Sequence, residues 1–166
     1  MRTAFRKVKT SDEIRSLVAF DRKVFAAPDR FPADYWRRLQ SYWMLIDDVK
    51  VGCCAFERHA DFQQDLREDG ENPGLAGSLY IASTAILPRF QGRGFGRMLK
   101  SWQIAYAWHH NFNRIVTNTR KRNTRMIHLN RMFGFKVIRT TRGYYSQPPD
   151  STVVMELHSN TRSQPE

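Results

Sequence analysis

The chain has 166 residues, 41% of them hydrophobic and 26% charged, with a formal net charge of +11. Such a length and composition fit one soluble globular domain with a real core. No apolar run is long enough to span a membrane, and MRTAFRKVKT at the N-terminus lacks the apolar stretch of a secretory signal.

The only cysteines, Cys53 and Cys54, are adjacent. They can build neither a disulfide framework nor a metal quartet, so no metal site and a reducing, cytoplasmic location are expected. The charge is unevenly placed. Between Glu71 and Asp150 there is no Asp or Glu, and 13 Lys and Arg fall there. That half calls for an anionic partner: a phosphate-bearing cofactor, nucleic acid or the ribosome. A solvated basic surface is the plain alternative, and charge alone does not choose.

Thr3 to Val8 reads as a short strand. Ser11-Asp12-Glu13 has helix-start chemistry, with Ser11 as the candidate N-cap. Ile14, Leu17, Val18 and Val24 carry a helical pattern to about Phe25. Ala26-Ala27-Pro28-Asp29 breaks it, and Phe31-Pro32-Ala33-Asp34 opens a second helix with Tyr35, Trp36 and Leu39. Trp43 to Ile46 and Val51 to Glu57 read as a hairpin turned at Asp47-Asp48. Alternation places Val51, Cys53, Ala55 and Glu57 on one face, so Glu57 ends a face that is otherwise apolar. The connection from His59 to Gly77 is long and acidic, with Asp61, Asp65, Glu68, Asp69 and Glu71 against Arg67. It reads either as a lid that attracts a cationic amine or as a solvated loop.

Leu79 to Leu87 reads as an uncharged strand, stopped by Pro88. Gln91-Gly92-Arg93-Gly94-Phe95-Gly96 follows, and then a helix with Phe95, Met98, Leu99, Trp102, Ala105 and Tyr106 as its buried stripe. Strand, glycine loop, helix is an anion-binding unit. The first amides of a helix have no partner within it, the helix dipole adds about half a positive charge, and glycines let a phosphate come close. Arg93 and Arg97 add charge. The dinucleotide fingerprint would need glycine at Arg97 and an acidic residue further on, and a Walker loop would need G-K-S/T. Neither is present. The other reading of the loop is a turn that permits tight strand-helix packing.

What remains is the pattern Q/R-x-x-G-x-G/A at Gln91 to Gly96, led in by Ala85-Ile86-Leu87-Pro88. Here the chain resembles the GNAT superfamily of N-acetyltransferases. A second stretch matches the same family: Asn123 to Phe135 fits N-x-x-M/A-x-x-L-x-x-x-x-G-F, a short helix capped by Asn123 and ended by Gly134. The resemblance covers roughly residues 79 to 135. Arg114 to Asn118 reads as a strand between the two stretches, Lys136 to Thr141 as the next, residues 142–150 as a loop, and Thr152 to His158 as the last strand. Residues 1–158 are expected to form one acetyltransferase domain, with 159–166 a polar, disordered tail.

The resemblance implies an α/β fold, a twisted mixed sheet flanked by helices, in which the central strand and its neighbour splay apart. It implies acetyl-CoA as co-substrate. The amides of Gln91, Gly92, Arg93, Gly94, Phe95, Gly96 and Arg97 would hold the pyrophosphate. The backbone of Thr84, Ala85 and Ile86 would pair with pantetheine as an added strand does. An amide near Thr84 would face the thioester oxygen. Asn123, Met126 and Asn130 would lie along the pantetheine arm and the acetyl end. The early helical pair would wall the acceptor site, so Phe31, Tyr35 and Trp36 are either substrate contacts or core. The implied activity is direct acetyl transfer to a primary amine of a small molecule, amino acid, peptide or protein. The alternatives are a non-catalytic CoA-binding sensor and a ribosome- or nucleic-acid-associated protein, the latter centred on Arg120-Lys121-Arg122. A homodimer is left open.

The chain departs from the family at the catalytic positions. The usual tyrosine acid matches Asn130, the histone acetyltransferase glutamate matches Tyr80, and a strand position used by some peptide N-terminal acetyltransferases matches Asn118. Residues 72–149 hold no carboxylate. A carboxylate base must therefore be Glu57 or Glu156 if it lies on a strand, and Glu57, which ends an otherwise apolar face, is the preferred one. Tyr80, Tyr144 and Tyr145 are candidate acids. His59, His109, His110 and His128 are further candidate bases, although nothing groups them with a nucleophile or metal.

Overall fold

The structure, a computed structural model, describes residues 1–57 and 77–159. In chain order the strands are β1 (Thr3–Lys7), β2 (Gln40–Ile46), β3 (Val49–Glu57), β4 (Ser78–Ile86), β5 (Arg114–Arg120), β6 (Lys136–Ser146) and β7 (Pro149–His158). The helices are α1 (Ser11–Val24), α2 (Ala33–Arg38), α3 (Phe95–His109) and α4 (Thr124–Met132). The strands follow the order β1-β2-β3-β4-β5-β7-β6 in one seven-stranded sheet. The class is α/β, as the sequence implies. The acidic stretch 61–71, His59 and the tail 160–166 lie outside the described residues. The described chain divides into two compact units: Met1–Glu57 with Ile81–Gln103, and 77–80 with 104–159.

In the first unit β1, β2 and β3 form an antiparallel meander. The turn between β2 and β3 puts Asp47 and Asp48 at φ 46° and 66°. Both central residues of a two-residue hairpin turn need positive φ to match strand twist, and Asp tolerates it. Leu17 and Phe20 of α1, Trp36 of α2, Trp43 and Leu45 of β2, and Cys53 and Ala55 of β3 share one apolar cluster. Phe31 and Tyr35 pack against it as well, which gives these aromatics their core reading. Phe5 stacks on Trp102 at 4.4 Å between ring centres, and Tyr42 tilts against the same indole at 5.0 Å.

The cap of α1 is Thr10 rather than Ser11. Thr10 Oγ1 accepts from the Glu13 amide at 3.2 Å, and Glu13 Oε2 accepts from the Thr10 amide at 3.3 Å. Only Thr10 has its partner acid three residues on, which is the spacing a capping box needs. Thr10→Ala is expected to cost about 1 kcal/mol, and Ser11→Ala less than about 0.5 kcal/mol, in denaturant unfolding.

In the second unit β7 pairs antiparallel with both β5 and β6. Ile115, Val116, Phe135, Val153, Val154 and Met155 are buried. The expected loop at 142–150 is mostly strand: β6 runs on to Ser146 and β7 begins at Pro149. The register with β7 slips between Thr141 and Tyr145, and Gly143 takes φ 65° there. A bulge absorbs the glycine inside a strand, so glycine marks a bend instead of an end. Arg120 donates to the Gln147 and Pro148 carbonyls at 2.8 Å each, and Arg122 donates to Asp150 at 3.1 Å. Two of the three residues expected to face RNA therefore hold this hairpin.

The buried face of α3 also differs from the expected stripe. Phe95, Leu99 and Tyr106 are buried as expected, but Ala105 is exposed, and Lys100, Gln103 and Ala107 are each 0% exposed. Positions 99, 103, 106 and 107 still obey helical spacing. What failed was the assumption that buried residues are apolar.

Candidate active site

The chain leaves β4 through Leu87, whose amide bonds the Val51 carbonyl at 2.9 Å. A 3₁₀ turn over Pro88–Phe90 follows. Gln91 Nε2 then donates to the Ile86 carbonyl at 2.9 Å, tying the glycine loop to the end of its strand. Gly92 and Gly94 have φ of 75° and 84°, and a Cβ at either would meet no atom within 4 Å. The glycines are there for backbone shape and an open approach, so close strand-helix packing does not explain them. The first helical bond of α3 runs from the Met98 amide to the Gly94 carbonyl at 3.2 Å. The amides of residues 95 to 97 thus precede the ladder and lie at the positive end of the dipole. Arg89, Arg93 and Arg97 are exposed around this turn. Thr84, Ala85 and Ile86 are the last residues of β4. This strand end, loop and helix start can hold a pyrophosphate.

In the second unit a chain of polar side chains crosses the sheet strands. Tyr80 hydroxyl donates to Asn118 Oδ1. Asn118 Nδ2 donates to Thr152 Oγ1 at 3.0 Å and lies 3.3 Å from the Tyr145 hydroxyl. The Arg120 guanidinium sits 4.1 Å above the Tyr145 ring. Of the expected acids, the structure joins Tyr80 and Tyr145 through Asn118. Tyr144 stands edge-on to Tyr145 at 5.0 Å. The sequence offers both tyrosines, and only strand register shows which of them meets Asn118.

Glu57 is half-buried at the end of β3, and the Tyr35 hydroxyl reaches its Oε2 at 3.4 Å. Glu156 is committed elsewhere. It accepts from Arg114 Nε at 2.8 Å and pairs with His158 at 3.1 Å. Burial pushes its carboxyl up, but the hydrogen bonds from Arg114 and His158, with the charge of Arg114, hold it below the usual range. A carboxylate so held is a poor base. His110 Nδ1 lies 2.8 Å from the Tyr106 carbonyl, a helix-end contact. Asn123 caps α4, its Oδ1 accepting from the Met126 amide at 3.2 Å. Asn130 is 1% exposed, with Nδ2 3.7 Å from Met155 Sδ. Its Oδ1 has no hydrogen-bond partner among the described residues. No group of three His, Cys, Asp or Glu among the described residues could hold a metal ion. Among them, too, no helix is long and apolar enough to cross a membrane.

The strand, open glycine loop and helix form a unit suited to a phosphate-bearing ligand. The Acetyltransferase (GNAT) family model matches residues 11–135. The chain belongs to that family and is an acetyl-CoA-dependent acetyltransferase. No curated protein matches it in sequence. Among solved structures it is similar to the ribosomal-protein-S18-alanine N-acetyltransferase of Escherichia coli, at 14% identity and TM-score 0.79 over 99% of each chain. It is also similar to a putative acetyltransferase of Salmonella typhimurium with its cofactor acetyl-CoA, at 16% identity and TM-score 0.74 over 100% of this chain and 99% of that one. Arabidopsis thaliana NAA60 in complex with acetyl-CoA matches at 16% identity and TM-score 0.76, over 96% of this chain and 99% of the other. At these identities the likeness is one of fold.

Proposed function

We propose that the enzyme moves the acetyl group of acetyl-CoA directly to a primary amine of a small molecule, amino acid, peptide or protein. The observation that carries this is the open loop at Gly92 and Gly94 leading into α3, which suits a pyrophosphate. Residues 91–97 hold the pyrophosphate, and Thr84, Ala85 and Ile86 pair with the pantetheine arm. Asn123, Met126 and Asn130 belong to the same cofactor. The amine nitrogen attacks the thioester carbon, the C–S bond breaks, and CoA leaves as thiolate. No covalent enzyme intermediate is needed.

A free alkyl amine has a pKa of about 10.4, so a proton must be removed before attack. Glu57 is the proposed base. Tyr80 is the proposed acid for the thiolate, its phenol oriented by Asn118. Tyr145 and Thr152 fix the Asn118 amide from its other side. Two buried free thiols, Cys53 and Cys54, support a reducing cytoplasm as the location.

The test is a thermal-shift titration with acetyl-CoA, with CoA and ATP as controls. A ligand of the native state at 100 times its Kd stabilises it by about 2.7 kcal/mol, which shifts the midpoint visibly. Acetyl-CoA and CoA are expected to raise the midpoint, and ATP is not. Thiol release with a panel of amines then finds the acceptor, and no release with any amine would favour the sensor alternative. With an acceptor in hand, Tyr80→Phe is expected to lower kcat about a hundredfold. A wild-type rate would remove Tyr80 from the chemistry.

A further inference from the structure

Gln103 is fully buried on the inner face of α3, where an apolar residue would be the simpler choice. A buried carboxamide is costly unless it is hydrogen-bonded. Its partners lie on β4. Nε2 donates to Thr84 Oγ1 at 2.9 Å and lies 3.5 Å from the Ser83 carbonyl, and the Thr84 hydroxyl is 3.3 Å from Oε1. It also reaches the Cys54 thiol.

The segment it grips is the end of β4, where Ala85 belongs to the apolar cluster and Ala82 packs against it. Gln103 thus ties α3 to the backbone of Ser83 and the side chain of Thr84, and a satisfied buried polar network of this kind rigidifies the elements it joins.

The geometry points to Gln103 as a positioning residue. Through Ser83 and Thr84 it fixes the end of β4 against α3, and so aims the amide near Thr84 at the carbonyl oxygen of the bound thioester. This rests on the proposed placement of acetyl-CoA along β4. An amide aimed at that oxygen matters most as negative charge develops on it, so the effect should appear in kcat more than in cofactor affinity. CoA has no such carbonyl, and its binding should be nearly insensitive to Gln103.

The experiment measures calorimetric affinities for acetyl-CoA and for CoA, with kcat and KM for whichever amine supports turnover. Gln103→Met keeps the volume and removes the donor. Thr84→Val removes the partner from the other side, and Thr84→Ser keeps the hydroxyl. For Gln103→Met and Thr84→Val, kcat should fall about tenfold, the weight of one buried hydrogen bond, or 1.4 kcal/mol. Affinity for acetyl-CoA should fall severalfold relative to CoA, with KM for the amine unchanged. Thr84→Ser, which keeps the hydroxyl, should recover most of the kcat that Thr84→Val loses. If Gln103→Met does not fold, Thr84→Val carries the test. Equal loss of acetyl-CoA and CoA binding would make Gln103 merely structural, and wild-type kcat in a folded variant would also overturn the proposal. Wild-type protein that binds neither form of CoA would overturn the cofactor placement itself, a different and recognisable failure.

Discussion

Gly94→Asp is expected to abolish acetyl-CoA binding, at least about a hundredfold in Kd, while leaving the protein folded. Gly94 has φ 84°, and a Cβ there would meet no atom within 4 Å. An aspartate therefore clashes with nothing. It bears a left-handed conformation that costs a non-glycine residue about 1–2 kcal/mol. Gly94 immediately precedes α3, so the added carboxylate would stand beside the amides that the pyrophosphate needs and repel the phosphates. Gly143→Asp is the control. That residue also has positive φ, 65°, with open space around it, and it lies in β6, outside the glycine loop in sequence. It should carry a comparable strain and bind acetyl-CoA normally. Wild-type affinity in Gly94→Asp by calorimetry would show that the loop does not hold the cofactor.

Lys100→Met is expected to stabilise the protein at pH 7, and the gain should vanish as pH approaches 10. Lys100 is 0% exposed in the core of the first unit. Burial pushes its amine down from 10.5 to about 8, with the neighbouring Cys54 acting weakly the other way. Below pH 8 the amine is protonated in both states, and the folded protein bears the full cost of the buried charge. Between 8 and 10.5 the unfolded chain holds a proton that the folded one has released, so stability rises with pH in that window. The depression corresponds to a cost on the order of 3 kcal/mol. Burial also pushes the Cys54 thiol up to about 12 from 9.0. That lowers stability above pH 9 in wild type and variant alike, so it cancels in their difference. Unfolding free energies of both proteins from pH 7 to 10 check this. A pH-independent difference would mean that Lys100 is not titrating in the fold.

The two stretches that carry the family pattern were legible because their determinants are local. Pro88 ends β4, glycines supply the positive φ of the loop, and an apolar period starts α3. Asn123 caps α4, and Gly134 follows its end at φ 90°. Each choice is made by a residue and its neighbours within a turn, where backbone sterics and one capping bond decide. Residues 142–150 read as a loop in the sequence for the converse reason. Gly143 and Pro148 look like punctuation, but pairing with β7 overrides them.

The sequence alone determined the α/β class, the glycine turn that leads into α3 and, through its resemblance to the family, the dependence on acetyl-CoA. Tertiary structure decided the rest of the site. Tyr80, Asn118, Tyr145 and Thr152 are scattered along the chain and meet only through strand register. Lys100 and Gln103 fall outside the apolar stripe expected for α3, and their burial shows only when Cys54 and Thr84 are set against them. A side chain's type states what it can bond, but burial and long-range pairing determine what it does bond. Those depend on the whole chain closing on itself.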